Sequence, residues 1–313
     1  MITFRYESNP ASIPCQRTGN KNLPMGRKNR MEESIKVKIL ISADAEGITG
    51  IFKKSQVTPG RPDYGQLRSL MAHDVNAAIR GAFAGGATEV VVNDSHNYDD
   101  NILLVDLDPR ASLMSGTDKP LIMAEGLAEQ VDALMLVGYH SRKGAKGVIS
   151  HTYYYPIVVD AAVNGVPFGE AEFVSHVAGY YGVPTVLLTG DDCVTASAEK
   201  QIPGIHTAVV KKVIGNGSAQ LYHPEKTGKL IEEAAKAAVS EYRTIAPVML
   251  EGPMTLTITF AAATQAVHAC KVPGFTLSKE QDNVVSYTCD DYLELYKAFL
   301  DALWQAAAFN DQC

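Results

Sequence analysis

"KVKILISADAEGITG", residues 36–50, decides how the rest of the chain is read. Its apolar run has no polar alternation, which predicts a strand buried on both faces, and it stops at Asp44 and Glu46. Two carboxylates one residue apart in extended backbone point the same way. The same arrangement, an apolar strand ending in polar chemistry, returns in "TEVVVNDSH" (88–96), "VDALMLVGYHS" (131–141) and "VPTVLLTGDD" (183–192). Between the first two lies "YGQLRSLMAHDVNAAIRGAFAGGA" (64–87), where Leu67, Met71, Val75, Ile79 and Phe83 recur at helical spacing before Gly85-Gly86 ends the helix. "KPLIMAEGLAEQ" (119–130) and "EAEFVSHVAGYY" (170–181) predict further helices, and Asn164-Gly165 predicts a tight hairpin turn.

Apolar strands alternating with helices imply a mostly parallel sheet covered on both faces, a three-layer α/β/α domain over residues 36–200. From there the texture changes. In "MTLTITF" (254–260) apolar Leu256, Ile258 and Phe260 alternate with threonines, as in a sheet with one buried face. Residues 201–313 are therefore expected to form a smaller two-layer α+β domain. Residues 1–35 have no hydrophobic period and are expected to be a disordered extension, with Met31 an alternative start.

Composition narrows the function. Of the 313 residues, 46% are hydrophobic, enough for a large core, and a formal charge of -7 excludes a broad nucleic-acid surface. No stretch approaches the roughly 18 uninterrupted apolar residues of a membrane helix. The five cysteines, Cys15, Cys193, Cys270, Cys289 and Cys313, show no CxxC spacing, and the N-terminus carries no apolar export signal. Both features point to reduced thiols in a cytoplasmic protein.

In open α/β sheets, ligands bind beyond the carboxyl ends of the strands. The first strand delivers Asp44 and Glu46 to that edge, the second Asp94 and His96, the third His140, the fourth Asp191 and Asp192. Bare carboxylates so close together repel, and no Lys or Arg lies in these turns before His140, so a divalent cation is the economical counter-charge. Carboxylate and imidazole without thiolate suit zinc or manganese. Any single one of these residues could equally cap a turn. Three successive strand ends with the same chemistry favour ligation. Asp94, Asp191 and Asp192 stand open between orienting a ligand histidine and capping a turn.

"SADAEG", "NDSH", "GYHS", "SHT" and "NGVPFGE", in that order from about Lys36 to the C-terminal helix, resemble the M55 family of metallopeptidases, the D-aminopeptidase group. The resemblance implies two zinc ions, with manganese or cobalt as substitutes, bound by Asp44 as the bridging ligand, Glu46, His96, His140 and Glu170. Glu172 competes with Glu170 for the last position. It implies that His151 is a non-ligand catalytic histidine that moves a proton or stabilises the transition state. It further implies hydrolysis of short peptides, including those with an N-terminal D-residue, and a homo-oligomer in the form of a homodecameric ring. Two other readings stay open: a magnesium-dependent phosphatase-like hydrolase using Asp191 and Asp192, and a non-catalytic peptide-binding or metal-binding protein.

Overall fold

In the computed structural model, which describes residues 36–215 and 217–308, the opening strand β1 (Lys38–Ala43) leads into α1 (Tyr64–Ala84) and β2 (Glu89–Asp94). Then follow β3 (Ser112–Met114), β4 (Ala133–Val137), β5 (Val158–Val163), β6 (Val166–Pro167), α2 (Glu170–Tyr180), β7 (Thr185–Asp191) and α3 (Asp192–Gln201). The chain continues through β8 (His206–Gly215), β9 (Ser218–Leu221), α4 (Pro224–Glu241), β10 (Met254–Phe260), α5 (Ala263–Ala269), β11 (Thr276–Leu277), β12 (Val284–Cys289) and α6 (Tyr292–Ala307). The extension expected at 1–35, and with it Met31, lies outside the described residues.

Seven strands form one sheet in the order β3-β2-β1-β4-β7-β8-β9, parallel except for β9. β1 and β4 are buried along nearly their whole length, as their unbroken apolar sequences predict. The chain steps one way from β1 to β2 and the opposite way from β4 to β7. Right-handed crossovers therefore put α1 and α2 on opposite faces. α4 packs beside α1, and α2 packs against α6. These helices give the three layers.

Five strands form a second, antiparallel sheet in the order β11-β12-β10-β5-β6. Along β10 every second residue is buried, so the alternation in "MTLTITF" reports one covered face, against which α5 and α6 pack. The hairpin turns at Asn164 and Gly165, both at positive φ (51° and 77°).

Two expectations need correction. The two sheets do not divide at residue 200. β8 hydrogen-bonds to β7 in the first sheet, with Leu187 opposite His206, while β5, from the first half, pairs with β10, with Val163 opposite Leu256. The half-buried alternation of 158–163 suits the one-sided sheet, so the hairpin leaves the buried parallel sheet to join it. Residues 119–130 form only a 3-10 turn at Ile122–Ala124 instead of a helix. Ile122, Gly126 and Gln130 all sit at positive φ, and a Cβ on Gly126 would come within 2.6 Å of Met114 and 3.1 Å of Leu40. The segment is fitted against the end of the sheet, and that close approach outweighs its helical composition.

Candidate metal centre

β1 and β4 are neighbours whose chains depart in opposite directions, so a crevice opens at their carboxyl ends. The turns that leave them interlock. Asp44 N donates to Val137 O (2.8 Å) and Gly47 N to Gly138 O (2.7 Å). A Cβ on Gly47 would lie 2.0 Å from the carbonyl oxygen of Tyr139, and one on Gly138 (φ +78°) 2.3 Å from that of Asp44. Only glycine allows the two backbones this close, and the contact brings Asp44 and Glu46 beside His140.

Six side chains from five segments converge there. His96 Nδ1 lies 3.3 Å from Asp44 Oδ1 and 3.2 Å from Glu46 Oε2. His140 Nε2 lies 3.3 Å from Asp44 Oδ2 and 3.0 Å from Glu170 Oε2. The His151 ring stacks on that of His140, with centroids 4.1 Å apart, and its Nε2 is 3.8 Å from Glu170 Oε1. The potential ligand atoms fall into two groups, Asp44, Glu46 and His96 in one and Glu170, His140 and His151 in the other, each within 4.8 Å. Asp44 turns one oxygen toward each group.

The outer nitrogen of every imidazole is fixed by a carbonyl. His96 Nε2 donates to Val57 O (2.7 Å), His140 Nδ1 to Ser141 O (3.0 Å) and His151 Nδ1 to Ile149 O (3.0 Å). A carbonyl only accepts, so each of these nitrogens carries the proton. The inner nitrogen of a neutral ring then presents a lone pair to the carboxylates, which is repulsive unless positive charge lies between them. Among the described residues, no hydrogen-bond donor reaches buried Asp44 Oδ2 or Glu46 Oε2.

The ionisation balance agrees. Burial and the nearby Glu46 push Asp44 up to about 7. Burial works against the charged forms of His96 and His140, but the facing carboxylates, chiefly Glu46 and Glu170, hold both imidazoles well above their ordinary value. Glu46 and Glu170 are in turn held low, against their own burial, by His96 and His140. The cluster gathers whatever positive charge is available, and its oxygen and nitrogen donors fit zinc.

Glu170 opens α2 and faces the histidines, its Oε1 accepting from Tyr153 N (2.6 Å). Glu172 accepts from Gly169 N (2.8 Å) and caps the helix instead. Three other strand-end acids are also taken by caps and turns. Asp94 accepts from Asn101 Nδ2 (2.8 Å) and Ile102 N (2.7 Å). Asp191 caps α3 and accepts from Val148 N (2.8 Å), and Asp192 accepts from Val213 N (2.8 Å). Cys193 has its thiol pushed up by burial, as an inert thiol would.

Sequence reasoning missed Lys211. It is fully buried on β8, and its ammonium donates to the carbonyls of Glu46 (2.6 Å), Ile48 (2.9 Å) and Ile51 (2.7 Å). Burial draws it down to about 8. Buried Asp74 accepts from Thr49 N in the same turn (2.8 Å). The turn carrying Asp44 and Glu46 is thus held by a cation and an anion from other segments of the chain. The available signal was a lysine inside an apolar strand, "TAVVKKVI". A Lys211→Met variant removes a donor from three carbonyls and, among the described residues, leaves those of Glu46 and Ile51 with none, since Ile48 O still accepts from Ile51 N (3.2 Å). It is expected to bind zinc about 10- to 100-fold more weakly in a chelator competition and to melt at lower temperature. An unchanged zinc affinity in a folded variant would show that the turn holds itself.

Comparison with known proteins adds an independent finding. Residues 37–300 match the family model of peptidase M55, described as D-aminopeptidase. The D-aminopeptidase of Bacillus subtilis (strain 168) is 36% identical over 264 residues, which cover 84% of this chain and 96% of that protein. A solved structure described as the Zn-dependent D-aminopeptidase DppA from Bacillus subtilis, a self-compartmentalizing protease, superposes with a TM-score of 0.83 at 35% identity. That match covers 87% of this chain and 98% of the other.

Proposed function

Because the chain belongs to the peptidase M55 family of D-aminopeptidases, we propose that it is a zinc-dependent aminopeptidase that releases the N-terminal residue of short peptides, including D-residues. The observation that carries this reading is the convergence of three carboxylates and three imidazoles around two orphaned buried oxygens. Asp44, Glu46, His96, His140 and Glu170 would hold two zinc ions, with Asp44 shared between them. Bound zinc supplies Lewis acidity, which makes water acidic near neutral pH and polarises an amide carbonyl.

The protein's own groups do the rest. The carbonyls of Val57 and Ser141 fix the outer protons of His96 and His140 and so turn the inner nitrogens, the ones that would hold the metal, toward the carboxylates. Tyr153 N holds the Glu170 carboxylate in place. Burial, and then His140, push His151 below its ordinary value, so it is neutral at pH 7 with Nε2 free to take a proton. It can pass that proton to the departing amine. The phosphatase reading is not favoured, because the family match is to D-aminopeptidases and Asp191 and Asp192 are engaged with backbone N–H groups.

Purified protein incubated with D-Ala-D-Ala, L-Ala-L-Ala and a D-aminoacyl amide is expected to release amino acid, to stop when a chelator is added, and to recover with zinc, manganese or cobalt. Metal content well under one zinc per chain in active protein would overturn the reading. Turnover of the L-peptide alone would overturn the D-residue assignment.

We place the protein in the cytoplasm as a homo-oligomer, a homodecameric ring. The self-compartmentalizing relative supports the assembly. So does the exposed turn at Leu104 (68%) and Val105 (89%), apolar surface of the kind that subunits cover. No described helix is long and apolar enough to cross a membrane. Light scattering is expected to give ten times the 33.7 kDa chain mass, and a monomer at every concentration would refute the ring.

A further inference from the structure

Two surface segments are tied to the metal centre by a hydrogen bond, and a third is joined to it through the chain neighbours of His140 and His151. Val57, at the end of the 3-10 turn Lys54–Gln56, accepts from His96. Tyr153 N donates to Glu170. Lys143 N donates to Thr152 Oγ1 (3.1 Å), next to His151, and Lys143 itself lies three residues beyond His140. The side chains at the outer ends of these segments meet. Lys54 Nζ is 3.6 Å from the centroid of the Tyr155 ring, and Lys143 Nζ is 5.3 Å from the same centroid. Tyr155 is 48% exposed.

The neighbouring cations have acidic partners. Lys53 pairs with Asp63 (2.7 Å) and Arg142 with Asp160 (3.5 Å). Among the described residues, Lys54 and Lys143 have no carboxylate within ion-pair distance. The ring face attracts each ammonium, but the two like charges gathered on one ring repel each other. Both are relieved by an anion placed between them.

We propose that Lys54 and Lys143, flanking Tyr155, form a subsite for the free C-terminal carboxylate of a di- or tripeptide substrate. The inference rests on the aminopeptidase reading and gives that reading a substrate class. Reach supports it. Each segment leaves the centre within about three residues, at most about 10 Å of chain, and the lysine side chains can swing inward, while the C-terminal carboxylate lies about 3.5 Å beyond the first amide of an extended dipeptide and about 7 Å beyond that of a tripeptide. A peptide with its first amide at the centre brings its far end to this rim. There a carboxylate gains two ion pairs and a carboxamide gains none. Longer peptides would carry their charge past the pair, so the same contact limits length.

The test compares D-Ala-D-Ala with its C-terminal amide in the wild-type protein, in Lys54→Met/Lys143→Met and in Lys54→Glu/Lys143→Glu, with zinc content measured for each. The wild type is expected to favour the acid by about tenfold in kcat/KM, mainly through KM, and less at high salt. The methionine pair is expected to lose the preference and the glutamate pair to favour the amide, with zinc per chain unchanged. Equal rates on acid and amide in the wild type, or a preference that survives the methionine pair, would overturn the subsite. Calorimetric binding of acid and amide to the zinc-free protein separates the two levels of the argument. Failure to turn over either compound defeats the aminopeptidase reading, whereas the acid-over-amide difference in binding, and its loss in the methionine pair, tests the subsite independently.

Discussion

Asp44→Asn is expected to reduce bound zinc from two ions per chain to less than one and to lower kcat/KM at least about a thousandfold. Asn keeps the size of the side chain and removes its charge. Asp44 faces both halves of the centre, with Oδ1 toward His96 and Oδ2 toward His140, and among the described residues no hydrogen-bond donor reaches its Oδ2. Removing that charge withdraws the shared counter-charge from two sites together, so the ions should be lost jointly. The repulsion between two buried carboxylates, Asp44 and Glu46, is removed at the same time, so the zinc-free protein should melt no lower than the wild type. Metal analysis and thermal melting of the zinc-free and zinc-loaded forms check this. Retention of two ions by the variant would mean that Asp44 is not shared.

His151→Ala is expected to separate chemistry from metal binding, losing about 10²- to 10⁴-fold in kcat while keeping two zinc ions per chain. The geometry makes this a sharp test. His151 belongs spatially to the group with His140 and Glu170, so it could serve as a ligand as readily as a proton carrier. Three features favour the proton. Its Nε2 stands 3.8 Å from Glu170, farther than the 3.0 Å of His140, and its ring is stacked face to face on the His140 ring. Burial and His140 also disfavour its charged form, so it starts the reaction as a base. Loss of one zinc together with activity would make it a ligand, and a full rate would remove it from the mechanism.

Much of this was legible in the chain. Unbroken apolar runs marked β1, β2, β4 and β7, the period of Leu67 to Phe83 marked α1, and Asn164-Gly165 marked the hairpin, because each depends on residues within a turn or two of one another. The same local logic put Asp44, Glu46, His96 and His140 at the carboxyl ends of parallel strands, where such sheets bind ligands.

Local logic gave no way to rank Glu170 against Glu172, or to tell that Asp94, Asp191 and Asp192 are engaged with N–H groups. A carboxylate is the same residue in either role, and the role depends on which N–H groups the fold brings to it. The helix expected at 119–130 failed for a related reason, since the close packing of Gly126 on Leu40 and Met114 is a contact across the fold. Asp74 and the interlocked Gly47 and Gly138 were likewise silent in the sequence, and Lys211 showed there only as a lysine inside an apolar run. Residue order alone determined which strands end in metal-binding chemistry. Tertiary structure alone decided which of those groups face one another, because hydrogen bonds and backbone contacts between segments distant in sequence set the direction of each side chain.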